Sequence, residues 1–117
     1  MPRKDAGEPY YRISIDEAAE MYSQEDTVVV DVRREDEYKE GHVKDALFIT
    51  LDNLLGGIDE LPKDKKLLFI CAAGVRSGVA AEMAAAMGFD GENLYNIEEG
   101  TDAWINGGHP TSRGTDK

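Results

Sequence analysis

The stretch C-A-A-G-V-R-S at 71–77 brings a thiol, a glycine, a cation and a hydroxyl together within seven residues. Cys71 is the only cysteine among 117 residues, which excludes an intrachain disulfide and any multi-cysteine metal site. A free thiol with a pKa near 8.5 is only about 3% ionised at neutral pH. Lowering that pKa by roughly 2 units makes it mostly thiolate and requires about 2.7 kcal/mol of differential stabilisation. The segment after Cys71 has the parts for this. Gly74 permits a positive φ or a close approach to a ligand. The amides from Ala72 to Ser77, at the start of a helix, can point inward as an anion cradle. Arg76 places a fixed positive charge at its rim. A helix N-terminus contributes roughly 0.3–2 kcal/mol, and charge-assisted bonds from the loop amides supply the rest. No histidine base is required. The competing reading of L-L-F-I-C alone is a buried cysteine that closes an apolar strand.

The elements around this loop follow from the hydrophobic pattern. K-L-L-F-I-C at 66–71 is a continuous apolar run, so it predicts a strand at the centre of a sheet. Ser77 to Met87 predicts an alanine-rich helix with Val79, Ala80, Met83, Ala84 and Met87 on one apolar face, stopped by Gly88. T-V-V-V-D-V at 27–32 predicts a second buried strand. Residues 10–13, 46–49 and 93–97 predict three more. S-I-D-E at 14–17 is a capping box that starts a helix reaching about Ser23. Residues 34–40 predict a short helix ended by Gly41, and 51–55 a turn or two of helix stopped by Gly56-Gly57. Thr101 to Asn106 predicts the last helix. Alternating β and α segments with short connections give an α/β domain: five strands in a mainly parallel sheet, with helices on both faces. In such sheets ligands bind beyond the carboxyl ends of the strands, where Cys71 falls.

Composition narrows the function classes. Apolar residues at 41% and charged residues at 32% suit one globular domain, and the formal net charge is −11. That balance argues against nucleic acid or an anionic membrane surface as the main partner. No apolar run approaches the length of a membrane span. M-P-R-K-D-A-G-E is not followed by the apolar stretch of a signal peptide. With one free thiol, this points to the cytoplasm. Residues 1–60 carry 7 Lys+Arg against 16 Asp+Glu, whereas 61–117 carry 6 against 8. The acidic half reads as a solvated surface, or as a docking face for a basic partner. The polar ends, 1–8 and 111–117, read as flexible tails flanking a single domain at 9–110.

The loop C-x-x-G-x-R-S, the upstream D-V-R-R-E-D-E-Y-K-E-G-H-V-K-D-A at 31–46 and the downstream E-G-T-D-A-W-I-N-G-G-H-P at 99–110 together resemble the rhodanese family of sulfurtransferases in its single-domain form. They occur in the family's order and span roughly residues 10 to 110. The resemblance implies that Cys71 takes a sulfane sulfur from thiosulfate or another persulfide donor, becomes a persulfide, and passes the outer sulfur to cyanide or a thiol. It implies that the backbone of Ala72, Ala73, Gly74, Val75, Arg76 and Ser77, with the Arg76 side chain, binds the substrate. It also implies that Asp31 and Arg33 brace the site, although they read equally as a structural ion pair. No metal or organic cofactor is implied. The implied partners are a small sulfur-donor anion and a thiol acceptor, such as a thioredoxin-like or sulfur-carrier protein.

Four positions depart from the family pattern. Ala72 and Ala73 stand where polar or basic residues are common, which removes side-chain donors for a doubly charged anion. Glu99 and Asp45 stand where glycines are common. Two other functions remain open: a non-catalytic rhodanese-like binding module, and a cysteine-dependent phosphatase or arsenate reductase. The latter needs five residues between cysteine and arginine to hold a tetrahedral oxyanion; here there are four. His42 and His109 lie in loop-like contexts and read as structural or surface residues. Tyr10, Tyr11, Tyr38, Tyr95 and Trp104 read as packing residues, and Glu82 as solvated.

Overall fold

A computed structural model describes residues 2–117. Five strands form a parallel sheet in the order β1-β6-β5-β2-β4: β1 Tyr11–Ile13, β2 Thr27–Asp31, β4 Leu47–Phe48, β5 Lys66–Ile70 and β6 Leu94–Ile97. The five-stranded α/β architecture agrees with the sequence reading, and β5 occupies the centre. Side chains alternate across this sheet. Leu67, Phe69 and Cys71 face one side with Val30 and Val32, and Leu68 and Ile70 face the other with Val29.

Helices cover both faces. On the Cys71 side lie α4 (Val75–Ala86) and α3 (Leu54–Gly57), which contribute Ala80, Ala81, Ala84 and Leu54. On the opposite side lie α1 (Ile15–Tyr22) and α5 (Gly100–Asn106), which contribute Ile15, Ala18 and Trp104. The Ser14–Glu17 capping box forms in both directions, with Glu17 N–H donating to Ser14 Oγ at 3.2 Å and Ser14 N–H to Glu17 Oε1 at 2.9 Å.

Three features differ from the sequence expectations. Val79 and Met87 are exposed; the buried stripe of α4 is Ser77, Gly78, Ala80, Ala81 and Ala84. Small side chains let the helix lie close to the sheet, and the larger residues turn outward. Gly56-Gly57 does not stop the helical segment, because 3-10 turns at Leu51–Asn53 and Ile58–Glu60 flank α3 and bury Leu54 and Ile58. A second, two-stranded antiparallel sheet pairs β3 (His42–Val43) with β7 (Thr111–Ser112). Thus residues read from sequence as belonging to a tail contribute backbone pairing. At the other end, Arg3 forms a bridge with Arg12. The remaining helix, α2, spans Glu35–Glu40.

Candidate active site

Cys71 lies immediately beyond β5 and is 1% exposed. The chain then turns through Ala72 and Ala73 into Gly74, whose φ of +86° is the left-handed conformation expected of it. A side chain there is excluded as well as strained: a Cβ would lie 2.5 Å from the Glu98 carbonyl oxygen. The turn aims Gly74 N–H at Cys71 Sγ, at 3.1 Å. Ser77 Oγ lies 3.3 Å from the same sulfur. Burial pushes the thiol up, but the Ser77 hydroxyl and the backbone N–H groups of Ser77, Ala73 and Gly74 together hold it below its ordinary value. The site can therefore stabilise a thiolate using backbone dipoles and one hydroxyl.

The three sequence segments converge here. Gly100 follows β6 with a φ of +80°, and Thr101 donates from both its N–H (2.9 Å) and its hydroxyl (3.1 Å) to the Cys71 carbonyl. The start of α5 thus fixes the residue that carries the thiol. Glu99, at the family's glycine position, keeps φ at −80° and accepts Ile15 N–H at 2.8 Å, joining the start of α1 to that of α5. Asp45, at the other such position, adopts a φ of +66°, the conformation for which glycine is the usual choice.

Asp31 and Arg33, at the end of β2, are both buried. Arg33 donates to Asp31 through Nε (3.0 Å) and Nη2 (2.8 Å), and Nη2 also reaches the Gly41 carbonyl at 2.8 Å. The pair closes the loop that ends α2. Arg76 is half-buried and does not stand alone at the rim: its two terminal nitrogens donate to Glu37 at 2.6 and 2.9 Å. The Arg76 hydrogen bonds hold the Glu37 carboxyl at about 2, well below its usual value of 4.5. The loop cation is thus a member of an ion pair. Glu37 was not singled out in the sequence, although its position inside the upstream motif is a usable signal.

Ala72, Ala73 and Val75 are exposed, so they present backbone and methyl surface and no polar side chain. Grooves flank the loop on two sides. One, of about 430 Å³, is edged by Glu82 and by Glu8 and Glu98, both bonded to Arg12, beside Ala73 and Gly74. The other, of about 210 Å³, is lined by Val32, Arg33, Arg34, Thr50, Asp52 and Arg76. Neither histidine is among the hydrogen-bond partners of Cys71. His42 is buried against the Tyr38 ring, with its nitrogens on the carbonyls of Tyr38 and Asp116, and His109 packs on Trp104. Asn96 is a second residue that the sequence reading passed over. It is buried on β6, accepts the Ser77 hydroxyl at 2.5 Å, and donates to the Gly74 carbonyl at 3.0 Å. An amide inside the strand L-Y-N-I, where apolar neighbours flank it, was its signal. No group of three or more His, Cys, Asp or Glu side chains is placed to hold a metal ion among the described residues, and no described helix is long and apolar enough to cross a membrane.

Comparison with known proteins gives a consistent picture. The Rhodanese-like domain model matches residues 14–107. Thiosulfate sulfurtransferase GlpE of Coxiella burnetii is 33% identical over 103 residues, covering 88% of this chain and 94% of the relative. A rhodanese-related protein from Thermoplasma volcanium superposes with a TM-score of 0.76 at 30% identity, covering 86% of this chain and 96% of that one. A Rhodopseudomonas palustris protein of unknown function, described as a possible tyrosine phosphatase, superposes with a TM-score of 0.76 at 25% identity, covering 96% of this chain and 99% of that one.

Proposed function

The chain belongs to the rhodanese-like domain family and is a rhodanese-type enzyme, and on that premise we propose that it transfers a sulfane sulfur through a persulfide on Cys71. The Cys71 thiolate attacks the outer sulfur of thiosulfate. A new S–S bond forms to Sγ, the S–S bond of thiosulfate breaks, and sulfite leaves with its electron pair. An acceptor nucleophile, cyanide or a thiolate, then attacks the outer sulfur of the persulfide. The Cys71–sulfur bond breaks with its electrons returning to Sγ, yielding thiocyanate or the acceptor's persulfide. No net oxidant or reductant is consumed.

The observation that carries this reading is the buried sulfur held by the Gly74 N–H at 3.1 Å and the Ser77 hydroxyl at 3.3 Å. The amides from Ala72 to Ser77 provide an anion cradle without a metal or a histidine. Three arginines and one carboxylate line the smaller groove, against one arginine and three carboxylates at the larger, so the smaller is the favoured approach for a donor anion even though each of its arginines is already ion-paired. Within this mechanism Asp31 and Arg33 brace the end of β2. The bare alanine pair admits a protein-borne or glutathione persulfide as readily as thiosulfate, and a thioredoxin-like or sulfur-carrier protein suits the acceptor step. A single reduced thiol fits a cytoplasmic setting.

The deciding experiment is intact-protein mass spectrometry after incubation with thiosulfate, with Cys71→Ser as control. The expected result is a gain of one sulfur atom that cyanide removes and the variant never shows. If neither thiosulfate nor glutathione persulfide adds sulfur to a fully reduced Cys71, the transfer mechanism is wrong and a binding-module role takes its place.

A further inference from the structure

We propose that Asn96 is a positioning residue that acts on Cys71 through Ser77, holding the Ser77 hydroxyl proton while the sulfur is uncharged and yielding it when the thiolate forms. The Ser77 hydroxyl has one proton and two acceptors. Asn96 Oδ1 lies 2.5 Å from Ser77 Oγ, and Cys71 Sγ lies 3.3 Å from it. The Asn96 amide is fixed in orientation because its Nδ2 donates to the Gly74 carbonyl at 3.0 Å, which leaves Oδ1 facing Ser77. Asn96, Ser77 and Cys71 are all 1% exposed or less, so water does not substitute readily for a missing partner. The absence of a side chain at Gly78 makes room for this arrangement: a Cβ there would stand 3.2 Å from Asn96 Nδ2 and 3.1 Å from the Tyr10 hydroxyl.

These contacts define two hydrogen-bonding states. With Cys71 as the thiol, its S–H donates to Ser77 Oγ and the Ser77 O–H donates to Asn96 Oδ1, so each group has a partner. Once the thiol proton has passed to solvent base, Sγ is an anion that accepts, and the Ser77 O–H rotates towards it. Asn96 Oδ1 then loses its donor in a buried site. In a persulfide, the inner sulfur is again uncharged and the hydroxyl returns to Asn96. Ser77 keeps its proton throughout; only the O–H direction changes. Asn96 thus opposes ionisation of the resting thiol and favours the states in which the negative charge has left Sγ. A charge-assisted bond that must compete with a neutral one is weakened by the competitor.

The inference rests on Cys71 being the nucleophile that ionises, but its test does not depend on sulfur transfer. Cys71 is the sole cysteine, so the pH dependence of its alkylation by iodoacetamide reads one thiol. A double-mutant cycle combines Asn96→Leu with Ser77→Ala. The expected result is a thiol pKa about one unit lower for Asn96→Leu when Ser77 is present, with that fall lost when Ser77 is alanine. An equal shift in both backgrounds would mean that Asn96 only anchors the Gly74 carbonyl, and would overturn the proposal. If Asn96→Leu fails to show a cooperative thermal transition, Asn96→Asp replaces it in the cycle. A carboxylate grips the hydroxyl more tightly, so the thiol pKa should rise further with Ser77 present than with alanine; equal rises again refute the proposal. Loss of persulfide formation in the wild type, with this coupling intact, would count against the sulfurtransferase reading alone.

Discussion

Replacing Gly100 with alanine perturbs the loop from behind, at the Ala72 carbonyl and the Ala73 N–H, and leaves the side chains around the sulfur unchanged. The added Cβ would fall 1.9 Å from the Ala72 carbonyl oxygen, 2.5 Å from its carbon and 3.0 Å from Ala73 N. A carbon and a carbonyl oxygen come no closer than about 3.3 Å, so one side must move by roughly 1.4 Å. On one side stands α5, whose Trp104 is fully buried and whose Thr101 holds the Cys71 carbonyl. On the other stands the exposed backbone of Ala72 and Ala73. The loop is the softer side. A displacement of that size takes Gly74 N–H beyond hydrogen-bonding reach of Sγ and misaligns the neighbouring amides. The buried sulfur then keeps its desolvation and loses its donors, so the thiol pKa should rise.

The stability cost has two parts. A φ of +80° costs a non-glycine residue about 1–2 kcal/mol, and overpacking adds about 1–3 kcal/mol. A total of about 3 kcal/mol lowers the melting temperature by about 12 °C in a domain of this size. Circular dichroism melting and pH-dependent alkylation of Cys71 measure the two effects. Gly56→Ala is the control, because a Cβ at Gly56 meets nothing within 4 Å. A Gly100→Ala protein that melts within a few degrees of wild type would refute the steric argument. One that melts early with an unchanged thiol pKa would show that the downstream motif supports the fold without shaping the loop.

Glu37→Gln releases Arg76 from its ion pair and should lower KM for an anionic donor such as thiosulfate, with little effect on kcat for an uncharged donor; Arg76→Ala should raise the same KM several-fold, and steady-state kinetics with both donor types decides. The Glu37 carboxyl falls from 4.5 unfolded to about 2 folded, so its contribution is present above pH 4.5 and is lost as the pH falls through 2. Partial exposure of both side chains limits it to about 1–2 kcal/mol, and Glu37→Gln should flatten the denaturation midpoint across that acid range. Asp31→Asn leaves the buried Arg33 guanidinium without its counter-charge and should destabilise the domain by about 3–5 kcal/mol in urea titrations.

The parallel sheet was legible because its central strands are buried on both faces and appear as apolar runs, K-L-L-F-I above all. The capping box at Ser14 and the left-handed turn at Gly74 were legible because each depends on residues within a few positions. The short β3–β7 pairing joins Val43 to Thr111, and no local pattern announces so distant a partner. The outward turn of Val79 and Met87 has the same origin. Periodicity marks a stripe of apolar residues, but the distance between α4 and the sheet selects the alanines within it. The site divides along this line too. Cys71, Gly74 and Ser77 belong to one continuous segment, whereas the partners that govern them, Glu37 and Asn96, come from α2 and β6.

Loop length and the state of Arg76 together argue for sulfur over phosphate as cargo. A thiolate loop that holds a tetrahedral oxyanion needs a cysteine-to-arginine span long enough to surround it and an arginine free to offer paired donors. Here four residues separate Cys71 from Arg76, Gly74 N–H sits 3.1 Å from the sulfur itself, and both terminal nitrogens of Arg76 already donate to Glu37. The amides close around a single sulfur, and the guanidinium turns its paired donors to Glu37 on a neighbouring helix, leaving only its remaining N–H groups for an anion. The likeness to a Rhodopseudomonas palustris protein described as a possible tyrosine phosphatase is therefore one of architecture. In this chain the four residues between Cys71 and Arg76, and the hold of Glu37 on Arg76, favour a single sulfur atom over a tetrahedral oxyanion.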